Sequence, residues 1–143
     1  MTRIACYAIA TALTAILTTG TAFAQTPPAN VVGIWSGFAN QTQVKLSIRT
    51  QGAIGVCPAI TGAMSNVSPA GGASNIQGFY CPDTGRISFI RKDPKSNDTF
   101  QSYLASLSEV GGPLDRMAGT FSELNFVGHM REFNFAVERR APQ

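Results

Sequence analysis

From Val31 onward, apolar and polar residues alternate along most of this chain, and the period is two. Residues 43–50 (QVKLSIRT) show it most cleanly. Val44, Leu46 and Ile48 share one face, and Lys45, Ser47 and Arg49 share the other. That pattern predicts a half-buried β-strand. Seven more segments read the same way: 31–39, 54–66, 76–81, 86–92, 99–108, 116–124 and 132–139. In the last of them Phe133, Phe135 and Val137 are expected to face inward. In 86–92 the inward set is Ile87, Phe89 and Arg91. In 99–108 the set Phe100, Ser102, Leu104 and Ser106 opposes Gln101, Tyr103, Ala105 and Leu107, and Ser102 and Ser106 are expected on the inner side.

The breaks between segments carry turn chemistry. Asn40-Gln41, Gln51-Gly52, Pro82-Asp83-Thr84-Gly85 and residues 93–98 (DPKSND) are polar and rich in Gly, Pro, Asn and Asp, the residues that accept turn dihedrals. Pro58 confines its segment to a sheet edge, a bulge or the start of a strand. No stretch of this part has a 3.6-residue period, although 122–130 has room for one short helical turn. Eight short strands with short connections predict an all-β fold, an eight-stranded antiparallel up-and-down β-barrel. Closure removes the two exposed edges an open meander would leave. The alternative is a two-sheet β-sandwich, which needs longer crossing connections. The only long loop expected is 67–75.

The first 24 residues follow a different pattern. Arg3 precedes an uncharged apolar run, 4–17, and the segment ends in Ala22-Phe23-Ala24. This predicts a bacterial export signal cleaved before Gln25, with no stable membrane insertion afterwards. Localisation is then periplasmic or secreted. What remains is a flexible leader, 25–31, whose Pro27-Pro28 blocks helix, and one barrel domain, 32–140.

Composition narrows the function classes. The formal charge is +3 with 13% charged residues, which does not suggest a nucleic-acid partner. Export places Cys57 and Cys81 in an oxidising space, where an even pair is expected as a disulfide. Closing a loop of about 25 residues removes chain entropy worth about 3 kcal/mol. A metal site needs more ligands than one histidine and this cysteine pair offer, so no metal and no cofactor is expected.

Gly33-Ile34-Trp35 near the start of the first strand, eight meander strands and an arginine at the end of the last (Arg139 or Arg140) resemble the calycin group. Within it, Phe126-Val127-Gly128-His129 before the last strand and the pattern of 85–107 are similar to the avidin family. The resemblance implies that Trp35 and Arg139 meet and close one barrel end, and that a ligand enters at the other. The chain departs from the avidin site. It has one tryptophan, Ile87 and Arg91 stand where cage aromatics belong, and Met130 replaces a ligand-holding carboxylate. The resemblance therefore extends to the barrel and not to biotin.

His129 lies in a polar connection and reads as a surface or interface residue. Asp93, Asp98 and Asp115 read as turn residues. No nucleophile–base–acid order is legible, and the protein is expected not to be an enzyme. Arg91 near a strand end needs an anionic partner or ligand. The expected function is binding of a small molecule at the open barrel end, lined by Phe38, Tyr80, Arg91, Phe100 and Ser102. The alternative is a protein-binding barrel, such as a periplasmic or secreted protease inhibitor acting through its leader. Either is compatible with a homo-oligomer.

Overall fold

In a computed structural model the chain is described for residues 26–109, 114–124 and 130–140. The strands are β1 (Gly33–Ala39), β2 (Thr42–Gln51), β3 (Ala59–Ser68), β4 (Ser74–Cys81), β5 (Arg86–Lys92), β6 (Thr99–Glu109), β7 (Leu114–Leu124) and β8 (Met130–Arg140). Each pairs antiparallel with the next, and β1 pairs with β8, so the sheet is a closed eight-stranded up-and-down barrel. The expected fold class is the one observed. The expected export signal, 1–24, and His129 lie outside the described residues.

Closure leaves no free edge among these strands, and one side chain in two points inward. The inward set is apolar and large: Trp35, Leu46, Ile60, Met64, Ile76, Ile87, Met117 and Phe135 are all essentially inaccessible. Four aromatics run in a row across the middle. Phe89 stacks on Tyr103 at 4.5 Å, Tyr103 on Phe121 at 5.1 Å, and Phe133 follows at 5.2 Å from Phe121. Phe135 meets Phe89 and Tyr103 edge-on. The barrel interior is a packed core and not a deep ligand chamber.

Inward-facing glycines allow this tight curvature. A Cβ on Gly78 would lie 2.0 Å from the Ser88 carbonyl oxygen, and one on Gly119 would lie 2.1 Å from that of Leu104. Glycine at these corners lets the neighbouring backbone come that close. At the β1–β2 hairpin, Asn40 adopts a φ of 54°, a left-handed geometry that Asn tolerates.

Three sequence expectations need correction. Residues 54–57 are not strand: β3 starts at Ala59, directly after Pro58, and Ile54 and Val56 stand in an exposed loop. Strand β1 turns Trp35 inward and leaves Phe38 outside at 54% exposure. Strand β6 turns Gln101, Tyr103, Ala105 and Leu107 inward, so Ser102 and Ser106 face out. Both faces of β6 carry apolar residues, so alternation did not select one. Its register against β5, with Arg91 opposite Gln101 and Phe89 opposite Tyr103, did.

Candidate functional site

The strand ends gather two groups of polar side chains, one at each end of the barrel. At the end where β1 begins, Arg139 is 5% exposed. Its Nε donates to Asp115 Oδ2 at 2.7 Å, and Nη1 and Nη2 donate to the carbonyls of Val32 and Asn30. The guanidinium lies 4.7 Å from the Trp35 ring, and Trp35 Nε1 donates to the Val31 carbonyl at 3.0 Å. Asp115 is thus a buried ion-pair partner and not the turn residue its sequence context suggested.

Arg139 shares the hold on the leader with Gln51 and Tyr80. Gln51 accepts from Val31 N–H at 2.9 Å and donates to the Ala29 carbonyl at 3.0 Å, and the Tyr80 hydroxyl donates to the Pro28 carbonyl. Val31 is fully buried. Residues 28–32 therefore lie across this end as a lid fixed by hydrogen bonds to barrel side chains. Burial pushes the Tyr80 hydroxyl up to about 12, partly opposed by the nearby Arg139 charge. Cys57 and Cys81 form a disulfide beside this end, as expected from the even count.

Among the described residues the opposite end is open, and it is differently equipped. A cavity of about 200 Å³ is lined by Asn40, Thr42, Asn66, Arg91, Gln101 and Glu123 over a floor of Val44, Tyr103, Phe121 and Phe133. Arg91, Gln101 and Glu123 sit opposite one another on β5, β6 and β7. Arg91 is 7% exposed. Its Nη1 donates to Gln101 Oε1 at 3.2 Å and to Asn66 Oδ1 at 3.3 Å. Gln101 Oε1 also accepts from the Tyr103 hydroxyl at 2.8 Å, and Gln101 Nε2 donates to Glu123 at 3.3 Å. Burial pushes Tyr103 up to about 12, partly opposed by Arg91.

Arg91 has no carboxylate within ion-pair distance among the described residues, and its buried Nε has no hydrogen-bond partner. The Phe100 ring lies 5.2 Å from the guanidinium. A bulge produces that placement. Lys92 pairs with Thr99 while Arg91 pairs with Gln101, which leaves Phe100 as the extra residue. Bulges commonly re-aim a side chain beside a site.

The five residues expected to line one mouth are therefore dispersed. Arg91 and Phe100 are at the open end. Tyr80 is at the leader end, on the far side of the aromatic core. Phe38 lines an outer groove beside Arg116 and Glu138. Ser102 lines another outer groove, of about 540 Å³, with Phe79, Ser88 and Ile90. Sequence reading missed Asn66, Gln101 and Glu123. The inward phase of Arg91 was legible, but its partners on β3 and β6 follow from register alone. Trp35 and Arg139 do meet at the closed end.

Comparisons with protein-family models, with curated proteins and with solved structures returned no match.

Proposed function

We propose that this protein is an exported, non-catalytic β-barrel that binds a small ligand at its open end, in the cavity around Arg91. One observation carries the reading. Among the described residues an aromatic core fills the middle of the barrel, and at this mouth a cavity lies beside a buried guanidinium that keeps an unused donor. A buried charge without a charged partner is costly, and small-molecule sites are concave places where a few polar groups converge above apolar walls. The Cys57–Cys81 disulfide fits an oxidising compartment and so supports export. The Trp35–Arg139 stack supports a calycin-like barrel closed at one end and used at the other.

Native mass spectrometry of the protein purified from its own host tests this reading. A bound small molecule that disappears in Arg91→Gln is the expected result. A ligand-free wild type whose mouth amides are unmoved by host metabolite fractions rejects it.

A second reading, a protein-binding barrel such as a periplasmic or secreted protease inhibitor, is favoured by a separate observation. Ile54 and Val56 are 91% and 74% exposed on the loop that runs into Cys57. Large aliphatics held out on a disulfide-anchored loop suit a partner's apolar pocket. The leader is less suited to that role, because its carbonyls are engaged by Tyr80, Gln51 and Arg139. If this reading holds, Ile54→Asp abolishes protease inhibition; undiminished inhibition sinks the loop as the contact.

A further inference from the structure

We infer that the ligand class recognised at the open mouth is a small monocarboxylate. This rests on the mouth being the binding site. The charge pattern points to an anion. Across the mouth, β5 to β8 present Arg91, Gln101, Glu123 and Arg131 in register, opposite one another in that order. The cavity itself is lined by one cation, Arg91, and one anion, Glu123, and Arg131 continues the row at an exposed position. Glu123 meets Gln101 and is not within ion-pair distance of Arg91. Among the described residues the Arg91 charge is met only by the neutral amides of Asn66 and Gln101 and by the Phe100 face. A guanidinium with unused N–H groups favours a planar, two-oxygen acceptor over a neutral one, because charge-assisted bonds are about twice as strong.

The shape of the cavity points to a small organic acid. At about 200 Å³ it lies below the range of roughly 300–1,000 Å³ used by drug-sized ligands. Its accessible lining is mostly polar: Arg91, Gln101, Asn66 and Thr42 stand above a floor whose Val44 and Phe121 are themselves buried. A compact carboxylate suits such a lining. A long-chain acid does not fit, because the four-aromatic row blocks the barrel axis below.

The test uses benzoate and its neutral isostere benzamide, titrated into the full-length mature protein and read by amide chemical shifts. Benzoate is expected to shift Asn66, Arg91, Gln101 and Glu123 saturably and at least tenfold more tightly than benzamide. Arg91→Gln should bring benzoate down to the level of benzamide. Arg91→Lys, which keeps the charge but loses the fork, should fall between the two. Glu123→Gln removes a like charge and should tighten benzoate severalfold. Near-UV circular dichroism checks that each variant keeps its aromatic core. Equal binding of acid and amide overturns the inference, as does an acid preference that survives Arg91→Gln. If neither compound binds but a co-purified molecule shifts the same mouth amides, the carboxylate class fails while the mouth site stands. If nothing shifts those amides, both fail.

Discussion

The two ends of the barrel each bury one arginine against one aromatic ring, and the two arginines are satisfied very differently. Arg139 and Arg91 are almost equally inaccessible, at 5% and 7% exposure. Arg139 spends Nε on Asp115 and its two Nη groups on the carbonyls of Val32 and Asn30. Among the described residues Arg91 has only amide acceptors, and its Nε has none. A fully satisfied buried guanidinium holds structure together; one with a donor left over in a cavity is suited to receive something. Residue type, burial and aromatic stacking do not separate these cases. The acceptor inventory does.

The sharpest way to break the comparison is to remove the charge partner at the closed end. Asp115→Ala strands Arg139 in a buried place and should destabilise the fold by about 3–5 kcal/mol, measured by urea denaturation. A loss below 1 kcal/mol would mean that the closed end is not held by this pair. Removal of the disulfide by Cys57→Ala with Cys81→Ala should cost about 3 kcal/mol and loosen the loop at that end. Gly119→Ala places a methyl against the Leu104 carbonyl and should cost about 1–3 kcal/mol, showing as a lowered midpoint with unchanged slope.

The same substitution at both arginines separates their roles most directly. Arg139→Met should destabilise strongly. Arg91→Met should be neutral or stabilise by about 1 kcal/mol, because it removes a buried charge that has no charged partner among the described residues. Comparable losses at both ends would contradict the reading of the open end as a site. The smallest effect is expected at the exposed Arg116–Glu138 pair, 3.8 Å apart on the outer surface, where either alanine substitution should move stability by less than about 0.5 kcal/mol.

Alkaline pH compares the ends in another way. Tyr80 belongs to the closed end and Tyr103 to the open one, and burial raises both to about 12. A tyrosine in the unfolded chain ionises near 10. The folded state therefore keeps its full tyrosine contribution below pH 10 and loses it as the pH climbs from 10 towards 12. Cleavage before Gln25 would remove Tyr7 and leave only these two tyrosines. Absorbance at the phenolate band should then stay flat through pH 10 and rise together with loss of near-UV circular dichroism. A phenolate signal that appears near pH 10 in folded protein would show that one of these hydroxyls is in contact with water.

Much of the fold was readable because strands declare their faces by alternation. Strand β2 buries Val44, Leu46 and Ile48 against a polar outer row, so a slip of one residue would expose all three. Strand β8 does the same with Phe135 and Val137. Strands β1 and β6 were ambiguous because both of their faces carry apolar residues: Ile34 and Phe38 oppose Trp35, and Leu104 opposes Tyr103. The loop at 54–57 looked like strand because Ile54 and Val56 are β-formers, yet Pro58 cannot donate to a ladder, and pairing begins only after it.

The local sequence by itself determined the strand count, most of the turns, the disulfide pair and the inward phase of Arg91, because each depends on neighbours a few residues apart or on composition. Only the tertiary structure decided which polar groups converge. Asn66, Arg91, Gln101 and Glu123 come from four strands, and Pro28 meets Tyr80 across 52 positions of chain. Closure brought them together, and register chose which of them face one another. A chemical site depends on distances of about 3 Å between side chains far apart in sequence, and no local periodicity carries that information.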